Sequence, residues 1–112
     1  MQDKVIFLTS DQMGAGERTL GETVLESFFA LLKQQDPPPA AVFAVNRGVL
    51  ALTRRSLVSV HLREMAAAGV PVLACRTCVE FYGIDGQLVA GEVSSMGAFV
   101  ALAARHEVLT IA

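Results

Sequence analysis

Tryptophan is absent from this chain, tyrosine occurs once, histidine and cysteine occur twice each, and only 18% of the 112 residues are charged. Each scarcity excludes something. Two cysteines alone cannot close a structural zinc site, which takes four ligands. His61 and His106 read as surface or boundary residues, so no metal site is expected. The net charge is -2 and the longest basic run is Arg54-Arg55, which argues against nucleic acid and against an anionic membrane surface. Charge-free stretches reach about a dozen residues, short of the ~20 a membrane helix needs. Met1-Gln2-Asp3-Lys4 leads straight into strand-like sequence without the regions of a signal peptide. The expected setting is therefore cytoplasmic, with no membrane partner. In that compartment a Cys-x-x-Cys pair is redox-active, sulfur-carrying or metal-binding rather than a structural disulfide.

What is abundant is apolar: 53% of residues are hydrophobic. At this length the chain makes one domain, residues 1–112. Its apolar excess fits a parallel sheet buried on both faces, or a subunit that hides surface against copies of itself.

Val5–Thr9, Ala41–Val45, Val70–Ala74 and Glu107–Ile111 are short apolar, mostly β-branched runs that read as strands, and Leu88–Val93 as a shorter one. Between them, Leu20, Val24, Phe28 and Leu31 recur at helical spacing, widened by Leu25 and Leu32, with Thr19 and Glu22 at capping-box spacing. Asp36-Pro37-Pro38-Pro39 stops that helix. A poorly defined stretch runs on to Arg55. A second helix is expected from Ser56 to about Ala68, with Leu57, Val60, Leu62 and Met65 inward, closed by Gly69 and Pro71. A short helix from roughly Cys78 to Tyr82 ends at Gly83, and another is capped by Ser94 or Ser95 and runs through Phe99, Val100, Leu102 and Ala103. Strict strand–helix alternation predicts a three-layer α/β/α fold around a five-stranded, mainly parallel sheet.

In such a sheet ligands bind at the edge formed by the strand C-termini. Ser10–Gly16, Asn46–Gly48 and Cys75–Cys78 gather there, which makes Asp11, Gln12, Asn46 and Arg47 neighbours of the cysteine pair. A thiol at a helix N-terminus ionises more readily, and Arg76 beside it adds to the effect. Cys78 is therefore the candidate nucleophile, supported by Arg76 and Thr77. Cys75 is either a buried, inert end of the strand or a second thiol that resolves a persulfide on Cys78. Asp11 could orient or deprotonate a thiol, and Arg47 could hold an anionic donor or pair with Asp11. Phe81 and Tyr82 could shield the sulfur from water or staple the short helix to the sheet. Gly14-Ala15-Gly16 lacks the full G-x-G-x-x-G run and Glu17 would repel an anion, so it reads as a glycine-shaped loop and no cofactor is expected.

Val5–Gly14, Val45–Val49 and Cys75–Gly83 together resemble the DsrE/DsrF-like family, and within it the C-terminal domain of YedF-type, sulfurtransferase-like selenium-metabolism proteins. The resemblance runs from Lys4 to Ile111. It implies a DsrE-like α/β domain that forms homo-oligomers and relays sulfur as a persulfide, the role falling on Cys78 with Cys75 as the second thiol. It implies a sulfur donor or acceptor as partner, a TusA-like protein or a small thiol. YedF-type proteins usually carry an N-terminal TusA-like domain, and the residues here account for one domain only. Close relatives have a small residue where this chain has Arg76. The competing readings are a dithiol oxidoreductase using Cys75 and Cys78, and a small oligomeric binding or regulatory module with spectator thiols.

Overall fold

The computed structural model describes residues 1–112. Five strands, β1 (Lys4–Leu8), β2 (Ala41–Ala44), β3 (Val72–Cys75), β4 (Glu92–Ser94) and β5 (Glu107–Ile111), alternate with four helices. The helices are α1 (Arg18–Leu32), α2 (Val58–Ala67), α3 (Arg76–Tyr82) and α4 (Met96–Ala103), and a 3-10 segment spans Asn46–Leu52 between β2 and α2. Every strand pair is parallel, in the order β4-β3-β2-β1-β5. The expected mainly parallel sheet is thus wholly parallel.

The register sorts the side chains onto two faces. Ile6 lies opposite Val42, and Leu8 opposite Ala44. These residues bury against Leu25, Phe29 and Leu32 of α1 and Leu62 and Met65 of α2. Phe7 lies opposite Phe43, and both rings meet Phe99 of α4, at 4.4 Å and 5.2 Å between centroids. The right-handed crossovers explain the split: the chain steps from β1 to β3 in one direction with α1 and α2 on one face, then returns from β4 to β5 under α4 on the other. That second layer is thin. No residue of α4 is buried, none carries charge, and Val100 is 60% exposed.

Four expectations need correction. In α1 the inward residues are Gly21, Leu25, Phe29 and Leu32, whereas Leu20, Val24 and Leu31 are exposed. Both sets have helical spacing, and Gly21 decides between them. It lies so close to Gln12 that an added Cβ would sit 2.9 Å from the Gln12 Cβ, so the loop after β1 fixes the helix's rotation. Thr19 lies inside the helix, and the N-cap is Glu17. In α2 the inward stripe is Val58, Leu62 and Met65, with Leu57 78% exposed and Val60 exposed, because the helix starts only at Val58. Ser56 serves the turn before it by accepting from the Val58 N–H at 3.1 Å. The stretch before Arg55 is buried 3-10 structure. The fourth strand is confined to Glu92–Ser94; ahead of it, Val89 donates its N–H to the Leu52 carbonyl at 2.9 Å. Ser95, by contrast, caps α4 as expected, its Oγ accepting from the Ala98 N–H at 3.2 Å.

Gly48 lets the 3-10 segment sit directly on the end of β1. A Cβ there would lie 2.1 Å from the Leu8 carbonyl oxygen, which already accepts the Val45 N–H at 2.9 Å. Neither backbone can yield without breaking that bond. Gly48→Ala is expected to lower the free energy of urea unfolding by about 3 kcal/mol; a loss under half that would show that the segment can lift away from the strand.

Candidate functional site

The three loops do meet at the C-terminal edge, but their side chains divide into two groups. The first is built on Asp11, whose carboxylate is almost fully buried just beyond β1. Arg18 of α1 donates to its Oδ2 at 2.5 Å, and Arg47 grips both oxygens, from Nε to Oδ1 at 3.2 Å and from Nη2 to Oδ2 at 3.3 Å. Gln12 completes the group: its Oε1 accepts from Arg18 at 2.8 Å and its Nε2 donates to the Gly14 carbonyl. Burial by itself pushes the Asp11 carboxyl pKa up, but hydrogen bonds and charge from the two guanidinium groups outweigh it and hold the group below the ordinary carboxylate value. Asp11 therefore faces two arginines, not a thiol, and Arg47 pairs with Asp11. The Gly14 N–H is spent on the Ala112 carbonyl at 2.7 Å, so this loop ties down the chain's last residue.

The second group is built on Cys78. β3 ends at Cys75, which is buried, and α3 begins at once with Arg76, so Cys78 lies inside the first turn and not at its start. Both cysteines are free thiols, Cys78 half-buried. The Cys78 Sγ accepts a hydrogen bond from the backbone N–H of Asn46 at 3.0 Å. Asn46 can aim that N–H because its φ is +51°, a left-handed conformation that asparagine tolerates better than most residues. Its side chain is used as well, with Oδ1 accepting from the Tyr82 hydroxyl at 3.1 Å. Asn46, Thr77, Cys78, Phe81 and Tyr82 line an open cavity of about 290 Å³. Phe81 is 82% exposed at its rim, with its ring edge-on to Tyr82.

The electrostatics differ from the expectation of a thiol activated by a helix N-terminus and a neighbouring cation. Burial is the largest influence on Cys78 and pushes its pKa above the ordinary thiol value; the Asn46 N–H pulls it down, and Cys75 adds to the upward push. Helix α3 has only seven residues, and Arg76 is exposed and forms no ion pair. Sequence reasoning missed Arg18, which reaches Asp11 only because the loop between them folds back.

Both histidines make structural contacts away from this edge. His61 of α2 contacts Glu26 of α1 through Nε2, and Lys33 contacts Glu64, fastening the two helices. His106 Nδ1 lies 3.0 Å from the Leu102 carbonyl.

The model of the DsrE/DsrF-like family matches residues 4–111. Among solved structures, the chain resembles the YchN protein of E. coli at 20% identity and a TM-score of 0.68, over 99% of this chain and 100% of that one. It also resembles MTH1491, a protein of unknown function from Methanobacterium thermoautotrophicum, at 22% identity and a TM-score of 0.61, with 96% of each chain covered. A conserved protein of unknown function from Bacteroides thetaiotaomicron, BT1422, aligns at 19% identity and a TM-score of 0.64, over 97% of this chain and 95% of that one. These likenesses establish the fold. No curated protein matches the sequence.

Two outcomes follow from the charges. Asp11→Asn should lower stability at pH 7 by about 2 kcal/mol, below the range for a fully buried pair because the two arginines are half exposed. A depressed carboxyl stabilises the fold above its unfolded pKa of about 3.9 and loses that contribution as pH falls through the folded value. The gap between wild type and Asp11→Asn in urea unfolding should hold from pH 7 to about pH 4 and close below it; a gap that stays constant to pH 2 would contradict the ion pairs. For Cys78, iodoacetamide alkylation should follow a titration with its midpoint above the ordinary thiol value of about 8.5. A midpoint well below that value would show that Asn46 outweighs burial.

Proposed function

The chain belongs to the DsrE/DsrF-like family, and on that premise we propose that it carries sulfane sulfur as a persulfide on Cys78 and passes it to an acceptor. The observation behind this reading is the environment of Sγ: half-buried, held by the Asn46 N–H at 3.0 Å, and opening onto a cavity of about 290 Å³ walled by Phe81 and Tyr82. A second sulfur atom fits there beside the two aromatic rings. In the loading step the Cys78 thiolate attacks the terminal sulfur of a donor persulfide. The new Cys78–sulfur bond forms as the donor's sulfur–sulfur bond breaks, and the donor leaves as a thiolate. Unloading is the same exchange with the acceptor as attacking thiol.

A raised thiol pKa suits a carrier. Only a minor fraction is thiolate at neutral pH, but nucleophilicity increases with pKa, so the fraction that is ionised attacks well. A persulfide is a stronger acid than its parent thiol, so the loaded form is the more ionised one at neutral pH, while the Asn46 N–H stays on the inner sulfur. The donor or acceptor is a sulfur-carrying protein of TusA type or a small thiol. Selenium in the same chemical role fits the same cavity, which keeps selenium metabolism within this reading. The uncharged, exposed outer side of α4 with Met96 and Val100 suits packing against a second copy of the chain. No helix is long and apolar enough to cross a membrane. The raised Cys78 pKa also favours one rival, a binding module whose thiols are spectators.

Incubating the reduced protein with inorganic polysulfide and taking intact masses separates the two. A one-sulfur, reductant-sensitive adduct is expected on Cys75→Ser and absent from Cys78→Ser. No adduct on the wild type or on either variant would contradict the carrier and leave the binding module.

A further inference from the structure

Cys75 takes no part in the exchange just described, yet its placement suits a second step. It is the last residue of β3 and Cys78 is the third residue of α3. At that separation in a helical turn the two Cα atoms lie roughly 5 Å apart. This falls inside the range of about 4.4–6.8 Å in which a disulfide closes without moving the backbone.

Access differs sharply between the two thiols. Cys75 is 5% exposed and does not line the cavity, whereas Cys78 does. An external donor therefore meets Cys78, and the only sulfur Cys75 can meet is that of Cys78. The chain holds no other cysteine to compete. The cavity beyond Cys78 leaves a small departing group an exit, while the Asn46 N–H steadies the Sγ under attack. The influence of Cys75 on the ionisation of Cys78 supports their closeness.

We propose that Cys75 is a resolving thiol: once Cys78 carries a persulfide, Cys75 attacks its inner sulfur and releases the cargo as sulfide. This rests on the carrier reading and adds an outlet to it. The Cys75 thiol gives up its proton and its sulfur bonds to Cys78 Sγ. The bond between Sγ and the terminal sulfur breaks, and its electron pair leaves with the terminal sulfur, which takes up the proton as hydrogen sulfide. The sulfane sulfur is reduced to sulfide while the two cysteines are oxidised to a disulfide. A small thiol or a dithiol protein then restores both thiols by exchange. Sulfide release and forward transfer compete for one loaded intermediate, and the acceptor's arrival decides the outcome.

The experiment loads the reduced protein with inorganic polysulfide, removes the excess anaerobically, and follows intact mass and free sulfide with no thiol present. Wild type should lose its adduct, release one equivalent of sulfide and end two hydrogens lighter, with a peptide map joining Cys75 to Cys78. Cys75→Ser and Cys75→Ala should keep the adduct about tenfold longer or more and release no sulfide. The wild-type result stands by itself, so the inference does not depend on either variant folding. A wild-type adduct that persists without sulfide or disulfide would overturn the resolving role and leave the carrier intact. Failure of every version to load would instead sink the carrier, and the resolving role with it.

Discussion

One hydrogen bond, from the Asn46 backbone N–H to Cys78 Sγ, joins two segments that lie 32 residues apart in the chain. It spans the ends of β2 and β3, and its geometry is set well away from the sulfur. Val45 donates to the Leu8 carbonyl, and Gly48 packs against that same carbonyl with no room for a side chain. Asn46 then takes a left-handed φ that turns its N–H toward α3. Such a bond contributes about 1 kcal/mol to stability. Its larger effect is positional: it fixes which sulfur faces the cavity and in which direction.

The Asp11 group braces the same segment from the other side. Arg47 follows Asn46 directly, and its guanidinium is held on Asp11 together with Arg18 of α1. Arg18 also pairs with Glu22 at 3.3 Å, so two carboxylates balance the two guanidinium groups. Burial then sets the behaviour of Cys78, and its pKa rises. The proposed carrier site is thus shaped by packing and one N–H, with a thiol that is not strongly activated.

Much of this was legible beforehand for physical reasons. Val5–Thr9 and Ala41–Val45 are apolar runs that are satisfied inside a sheet, and the alternating helices leave few topologies open. The gathering of Asp11, Asn46, Arg47 and the cysteines follows from parallel strands ending on one edge. The rotation of α1 was hidden because Leu20, Val24 and Leu31 share the period of Gly21, Leu25 and Leu32, and only the contact of Gly21 with Gln12 separates the two sets. β4 was blurred because three residues with one apolar side chain carry almost no pattern. The rise in the Cys78 pKa was hidden for a different reason. Sequence shows a short helix, its start and an arginine, but it does not show the burial of the sulfur that outweighs them.

The Asn46 amide senses the Cys78 sulfur through their hydrogen bond, and the most direct measurement is the Asn46 amide proton shift in isotope-labelled protein across a pH titration. It should move with the ionisation of Cys78, with the same midpoint as thiol alkylation, and the transition should vanish in Cys78→Ser. An Asn46 amide indifferent to both pH and the loss of the thiol would mean that the two segments do not meet at the sulfur, and the cavity would lose its reason to be a sulfur site.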